Sequence, residues 1–460
     1  MGSKASTVRK VGSCVILSGL VFGLSARLLG QGVPSSEPKR AINYKLGNEV
    51  IASNNPDGGF LRCEPSIAMH QDRLVVAWND SWGGKQGAST GVAVGWAYST
   101  DRGRSFKFGG YLPTKSDEII PSGADSWLVV DQAGNFFLQV LSWQAKKTHL
   151  QVYSMPATEF GKWTKLPDAA VADQAKGDAQ IDKPAMAIDD SGRLGVAYST
   201  VGSGQYRIFV TTQDSRGDRW RRSIEVSASA AERVRIGAAI VMSGSEVVVT
   251  WMEGRGVSLT EVWGAVSKDG GKRFDEPALI KKLKEPVAAP KGYQMGNLQA
   301  AFISNNTWLA TAHRTQNKAD YYLAFAEGRK NGSDIKLLKK TAGAASWEKI
   351  AVGTDGSGTG KIFPSVALLK KNVPAVLYYD RPDPSSTVTN VWLSVGPKNI
   401  QLNTVGSDWA KVPGDKDLAP IQQNFGDYIT LAAFENVLAA AWTDGRNGRP
   451  TIYVRTVTIE

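Results

Sequence analysis

Between residues 62 and 457 apolar and polar positions alternate in short runs, broken by turns rich in Gly, Asp, Asn and Ser. A period of two marks strands with one face turned inward. The first unit reads Glu64-Pro65-Ser66-Ile67-Ala68-Met69, then a polar turn, then Leu74-Val75-Val76-Ala77-Trp78-Asn79-Asp80. That is a strand, a turn, and a second strand ending in an aromatic residue and a polar pair. The unit returns over 125–143, 183–198, 237–251, 298–313, 363–378 and 428–442. Its starts lie roughly 60 residues apart, room for four strands and their loops, which is the period of a ring of blades. The pattern predicts an all-β chain, a β-propeller of seven four-stranded antiparallel blades, with six as the alternative. After the last unit only 451–457 reads as a strand, so 42–52 is expected to complete the last blade. No strong amphipathic helix interrupts the series.

A second signal sits inside the repeat. Ser99-Thr100-Asp101-Arg102-Gly103-Arg104-Ser105-Phe106 and Ser267-Lys268-Asp269-Gly270-Gly271-Lys272-Arg273-Phe274 share the spacing S-x-D-x-G-x-x-F. A looser copy runs over 212–220, from Thr212 through Asp214 to Trp220. The Asp can accept N–H groups of its own turn, and the Gly allows a positive φ. These are Asp boxes (BNR repeats), and the chain resembles the sialidase superfamily of secreted β-propellers over 42–460. The resemblance implies a glycosidase with three arginines on a substrate carboxylate, a Tyr nucleophile with a Glu partner, and an Asp acid/base. Sialidases have six blades, so a count of seven departs from them.

The rest of the chain adds context. Lys4, Arg9 and Lys10 precede an apolar run over 11–24 and the small residues Ser25, Ala26, Gly30 and Gly32. This predicts a secretory signal over 1–32 and a linker over 33–41. The protein is then expected to be secreted, periplasmic or in the cell envelope, with no membrane span after signal removal. A formal charge of +11 agrees with an anionic partner. No nucleic-acid motif stands out, and a monomer is expected. Beyond the signal only Cys63 remains, so no internal disulfide forms, and three histidines give a zinc site or a Ser-His-Asp triad little support. No cofactor is expected. A Ca²⁺ ion could sit among Glu64, Asp125, Asp182 and Asp427, although no EF-hand spacing supports it. The basic stretches 281–284 and 336–340 are expected on outer loops.

Blade geometry separates scaffold from site. Turns joining the third and fourth strands share a face with those joining the first and second, which makes Asp101 and Asp269 structural. The opposite face collects residues that enter first strands or leave second strands. Arg62, Glu64, Asp125, Asp182, Lys183, Asp427 and Tyr428 enter; Asp80, Glu253, Arg255, Arg314, Asp380, Arg381, Asp444 and Arg446 leave. Glu253-Gly254-Arg255, Asp380-Arg381 and Asp444-Gly445-Arg446 repeat one acid-then-Arg ending. Each pair could be a salt bridge that organises its own loop. Together they could form a ring that grips an acidic sugar through paired N–H donors. Within the resemblance, Arg62 in Leu61-Arg62-Cys63-Glu64-Pro65 matches an R-I-P motif with one residue inserted. Tyr428 and Tyr379 are the candidate nucleophiles, Glu253 the partner and Asp80 a further catalytic acid. The expected function is a secreted sialidase-like glycoside hydrolase acting on an acidic glycan at the central channel mouth. The alternatives are a non-catalytic propeller that binds glycan or protein, and, less favoured, a polysaccharide lyase.

Overall fold

Each alternating run pairs with the next one along the chain, so the strands form meanders. The computed structural model describes residues 42–55, 59, 61–82, 91–112, 122–144, 146–202, 205–214, 219–227, 232–256, 258–287, 308–313, 319–330, 332–353, 360–381, 386–412 and 426–460. The expected signal (1–32) and linker (33–41) lie outside these. Ile42–Glu460 is one compact unit. In the first repeat Arg62–His70 pairs with Arg73–Trp82, then Gly91–Ser99, then Lys107–Leu112. The inner strands pack in a closed circle: Arg62–His70, Ser122–Val130, Gln180–Ile188, Val234–Ser243, Trp308–His313, Gly360–Leu369, Thr430–Phe434, and back to Arg62–His70. Tyr44–Leu46 and Val50–Ile51 pair with Thr451–Ile459, so the N-terminal strands complete the sheet that the C-terminus leaves open.

Hydrogen bonding does not yield seven or six separate four-stranded blades. Five sheets are single blades of four or five strands, and one further sheet holds nine. The fused sheet arises because Ser333 and Gly360 form a parallel bridge between the fifth and sixth repeats. Buried charge holds that junction. Asp334 lies 3.2 Å from Lys336 Nζ and 3.8 Å from Lys361 Nζ, and it also pairs with Arg329. The Ser333 hydroxyl donates to the Lys361 carbonyl at 2.6 Å. The basic stretches, expected on loops, lie partly on strands: Lys281 and Lys282 end Ala278–Lys282, and 336–340 sits within Gly332–Thr341.

The core lies between neighbouring sheets. Trp78 and Ile67 of the first repeat pack with Ala439, Ala441, Ile452 and Val454 of the last. Trp78, Trp251 and Trp442 hold equivalent second-strand positions and are fully buried. At about 25 cal/mol per Å², burying an aromatic of roughly 200 Å² contributes about 5 kcal/mol before conformational entropy. Each indole N–H also donates to the acid two residues on: Asp80 at 3.1 Å, Glu253 at 3.3 Å and Asp444 at 3.0 Å. Residues i and i+2 share a strand face, so the Trp and the acid lie side by side.

Five inner strands carry the same β-bulge, between Cys63 and Ser66, Ala124 and Trp127, Asp182 and Ala185, Ile236 and Ala239, and Ile362 and Ser365. Two residues of the inner strand there oppose one of its neighbour. The bulge holds Glu64, Asp125, Lys183, Gly237 and Phe363 at positive φ, between 47° and 68°. Pro65, Pro184 and Pro364 follow three of them, where the ladder is interrupted and a missing N–H costs least.

Candidate active site at the channel mouth

A cavity of ≈ 320 Å³ runs along the axis, lined by 66–69, 127–130, 186–188, 240–242, 366–368 and 430–433 of the inner strands. Its walls are mostly apolar. Just upstream stand Glu64, Asp125 and Lys183, each in the bulge of its strand, and Asp427, shortly before Thr430–Phe434. Lys183 Nζ lies 2.9 Å from Asp427, 3.4 Å from Glu64 and 3.8 Å from Asp125. The Lys183 amide donates to Asp182 at 3.0 Å and to Asp125 at 3.3 Å. The Asn79 side chain donates to Glu64 Oε2 at 2.6 Å and accepts the Asp125 amide at 2.8 Å. Gly426, at φ 79°, passes so close to Glu64 that a Cβ there would meet its Cγ at 2.5 Å. Only glycine fits that approach.

Three carboxyl groups thus surround one ammonium, with a fourth, Asp182, on the Lys183 amide, and they cannot all be charged cheaply away from water. Burial, reinforced by Asp427, pushes the Glu64 carboxyl well above its usual range, and Lys183 only partly counters this. Burial likewise raises Asp182 to about 6. Burial works against the Lys183 ammonium, but Asp125, Asp427 and Glu64 outweigh it and hold its pKa well above normal. The mouth therefore holds a permanent cation, protonatable acids and an excess of acid over base. Among the described residues no group of three or more His, Cys, Asp or Glu side chains is arranged to hold a metal ion. Cys63, raised by burial and then by Glu64, stays a thiol.

Of the residues expected on this face, the structure brings together Glu64, Asp125, Asp182, Lys183, Asp427 and Tyr428. Tyr428 is buried, its ring 6.2 Å from that of Trp127, and its hydroxyl donates to the Ser126 carbonyl at 3.4 Å. Burial, then Glu64 and Asp125, raises its pKa well above 10, the opposite of what a phenolate nucleophile needs. Tyr379 is spent as well. Its hydroxyl donates to the Thr443 carbonyl at 2.7 Å and accepts the Thr443 amide at 3.0 Å, and burial raises it too.

Arg62, Arg381 and Arg446 of the expected ring do not converge on a shared target, because each is held by partners near its own position. Arg62, 1 % exposed, faces Asp80 at 3.5 Å and donates to the Asn55 carbonyl. Asp80 is completely buried and also accepts from Trp78 and the Gly59 amide. Glu253 binds Arg233 at 2.6 Å and Arg235 at 3.1 Å rather than Arg255, which is exposed. Arg446 pairs with Asp444 at 2.5 Å and Glu49 at 3.0 Å and lies over the Tyr453 ring. Arg381 is buried against Gly360, where a Cβ would meet its Nη2 at 2.6 Å, and Asp380 pairs in register with Lys361. Arg314 lies outside the described residues. Sequence reasoning missed Asn79, although it stands in the polar pair that ends the second strand. The pair was read for its charge, and the amide proved to be the group turned towards Glu64.

No protein-family model matches the chain, and no curated protein does. Solved structures do. The α-L-arabinofuranosidase of Fusarium graminearum, in complex with arabinobiose, superposes at TM-score 0.50 with 12% identity, over 90% of this chain and 98% of the other. An α-L-arabinanase of Penicillium chrysogenum, also with arabinobiose, matches at TM-score 0.48 and 12% identity over 78% and 99%. The NanB sialidase of Streptococcus pneumoniae matches at TM-score 0.43 and 12% identity over 77% and 70%. The chain has a β-propeller fold.

Proposed function

We propose that the protein is a secreted glycoside hydrolase that cleaves a neutral glycan at the channel mouth. The observation that carries this reading is the convergence of Glu64, Asp125, Asp182 and Asp427 on Lys183 at one end of the central cavity. A carboxyl raised to about 6 by burial suits a general acid working near neutrality. Asp182 protonates the glycosidic oxygen, and Asp125 is the partner carboxylate on the developing oxocarbenium ion. Lys183 orients a sugar hydroxyl, while Glu64, its carboxyl raised by burial, stands behind it. A mouth with more acids than cations repels a sugar carboxylate, and Arg62, Arg381 and Arg446 are engaged elsewhere. A neutral sugar therefore replaces the acidic one expected from sequence. The arabinofuranosidase of similar fold, bound to arabinobiose, supports an arabinan-like substrate.

A second reading, a non-catalytic propeller, is favoured by one fact: Glu64 is only 2 % exposed and already bonded to Asn79 and Lys183. The cluster then seals the channel. Release of 4-nitrophenol from the α-L-arabinofuranoside, beside sialoside and uronoside analogues, separates the two. Turnover of the neutral glycoside that Asp182→Asn lowers about 10²–10⁴-fold, with binding kept, is expected of the enzyme. No turnover on any of the three, or an Asp182→Asn variant as fast as the parent, overturns it.

A further inference from the structure

A larger cleft, ≈ 620 Å³, lies between the second and third repeats and takes no part in the arrangement described above. Its walls come from 169–172, 177–179, 181, 198, 200, 202, 207, 209 and 221–223. It opens at the same end of the ring as the channel mouth. Ile181 lines it, and the next two residues, Asp182 and Lys183, belong to the mouth. Ile181 pairs with Thr200, and Thr200 with Arg207, so the cleft runs outward from the axis across three adjacent strands.

Its chemistry differs from that of the mouth. Three guanidiniums, Arg207, Arg221 and Arg222, line it. Arg207 is paired with Glu225 at 3.3 Å, and Arg221 is tied to the Thr212 hydroxyl at 2.8 Å. Arg222 is exposed and has no ion-pair partner among the described residues. The floor is the stacked pair Tyr198 and Phe209, ring centroids 5.7 Å apart and planes at 14°. On the opposite wall Val171 is 49 % exposed, and a Cβ on Gly177 would touch nothing within 4 Å. The cleft thus combines room, an aromatic and aliphatic lining for the C–H face of a sugar ring, and an uncommitted planar cation that takes a carboxylate in bidentate fashion.

We propose that this cleft is an accessory subsite for a carboxylate-bearing sugar, a uronate residue of a glycan. Because Ile181 of the cleft and Asp182 of the mouth are adjacent on one strand, one chain carrying a uronate away from its scissile neutral sugar can reach both. The cleft itself stands whether or not the mouth is catalytic.

The probe is trigalacturonate, with the neutral galactan trisaccharide as control, titrated calorimetrically into the full chain at low and high salt. The acidic trimer is expected to bind and the neutral one to bind at least tenfold more weakly. Arg222→Gln should weaken trigalacturonate at least tenfold, as loss of a charge-assisted pair does. Val171→Glu, at an exposed position that leaves the fold intact, should weaken it similarly by repulsion. Asp101→Ala, in a turn away from both mouth and cleft, should leave it unchanged, and binding is read without the glycosidase assay. Equal binding of the two trimers, binding of neither, or parent-like affinity in both Arg222→Gln and Val171→Glu overturns the assignment.

Discussion

At the scale of single residues, environment rather than identity decides which acids and tyrosines can work. Asp80, Glu253 and Asp444 read in sequence as exposed catalytic or binding acids, yet each is pinned by a Trp N–H and an arginine of its own sheet. Glu64 and Asp182 are buried and crowded by acids, so they hold their protons to higher pH than usual. This sets the sign of a pH effect. The Asp182 carboxyl titrates near 6 when folded against 3.8 unprotected. Between those values the folded state binds more protons than the unfolded one, so stability falls as pH rises from about 4 to 6 and then levels. Glu64, also raised, acts in the same direction. In Asp182→Asn the fall in Tm across that window should be smaller than in the parent; an unchanged slope would show that Asp182 titrates normally. Tyr428→Phe tests the nucleophile expected from the sialidase resemblance. It removes one long hydrogen bond to Ser126, so a loss of at most about 1 kcal/mol in stability and nearly full turnover are expected. A hundredfold loss of turnover in a folded Tyr428→Phe protein would restore the tyrosine to the chemistry.

At the scale of elements, the turns were legible and the bulges were not. Asp101 accepts the Ser105 amide at 3.0 Å and the Ser105 and Ser99 hydroxyls at 2.6 and 2.7 Å. Asp269 accepts the amides of Lys272 and Arg273 at 3.0 and 2.9 Å. Ser99 and Ser267 each accept the amide four residues on, at 2.9 Å. A motif of this kind is local, so sequence spacing suffices to read it. Burial is the largest single effect on Asp101 and opposes its ionisation, but the Ser105 and Ser99 bonds together outweigh it and hold its carboxyl below the usual range. Asp101→Ala should therefore cost about 1 kcal/mol and leave glycosidase activity unchanged. Asp269→Ala should lower Tm in the same direction. Activity lost from a fully folded Asp101→Ala protein would mean that the far face takes part in function. The bulges could not be read the same way, because period two runs on through Glu64-Pro65-Ser66 without a visible break. Only the recurrence of Pro65, Pro184 and Pro364 at one place in the repeat hints at an interrupted ladder. Those bulges aim Glu64, Asp125 and Lys183 at the axis. Entry-strand residues are visible as positions in the repeat, while the partners of the arginines depend on cross-strand register and are not.

At the scale of the whole molecule, the ring is closed by residues nearly a full chain length apart. The period of the repeats and the missing last strand were visible in sequence, and so was the use of 42–52 to supply it. The fusion of two repeats into one sheet was not, because a single parallel bridge at Ser333 and Gly360 leaves no mark in the alternation. The closure rests on more than strand pairing. Arg455 donates to the Gly47 and Leu402 carbonyls, and Arg446 joins Glu49, which also accepts the Thr404 amide at 3.1 Å and its hydroxyl. Glu49 thereby ties the N-terminal strands to two repeats at once. A ring gains its cooperativity from having no free edge, since an open inner or outer strand exposes unpaired N–H and C=O groups. Removing 42–52 would expose the Thr451–Ile459 edge over the registers now held by Tyr44–Leu46 and Val50–Ile51. The truncated protein should unfold at lower temperature and over a broader range than the parent, and it should self-associate in size-exclusion chromatography through that edge. Glu49→Gln should lower Tm by a smaller amount without association, because it loosens the tie and keeps the strand. If the truncated chain stays monomeric with an unchanged, sharp transition, the N-terminal strands are ornament and the remaining strands close the ring unaided.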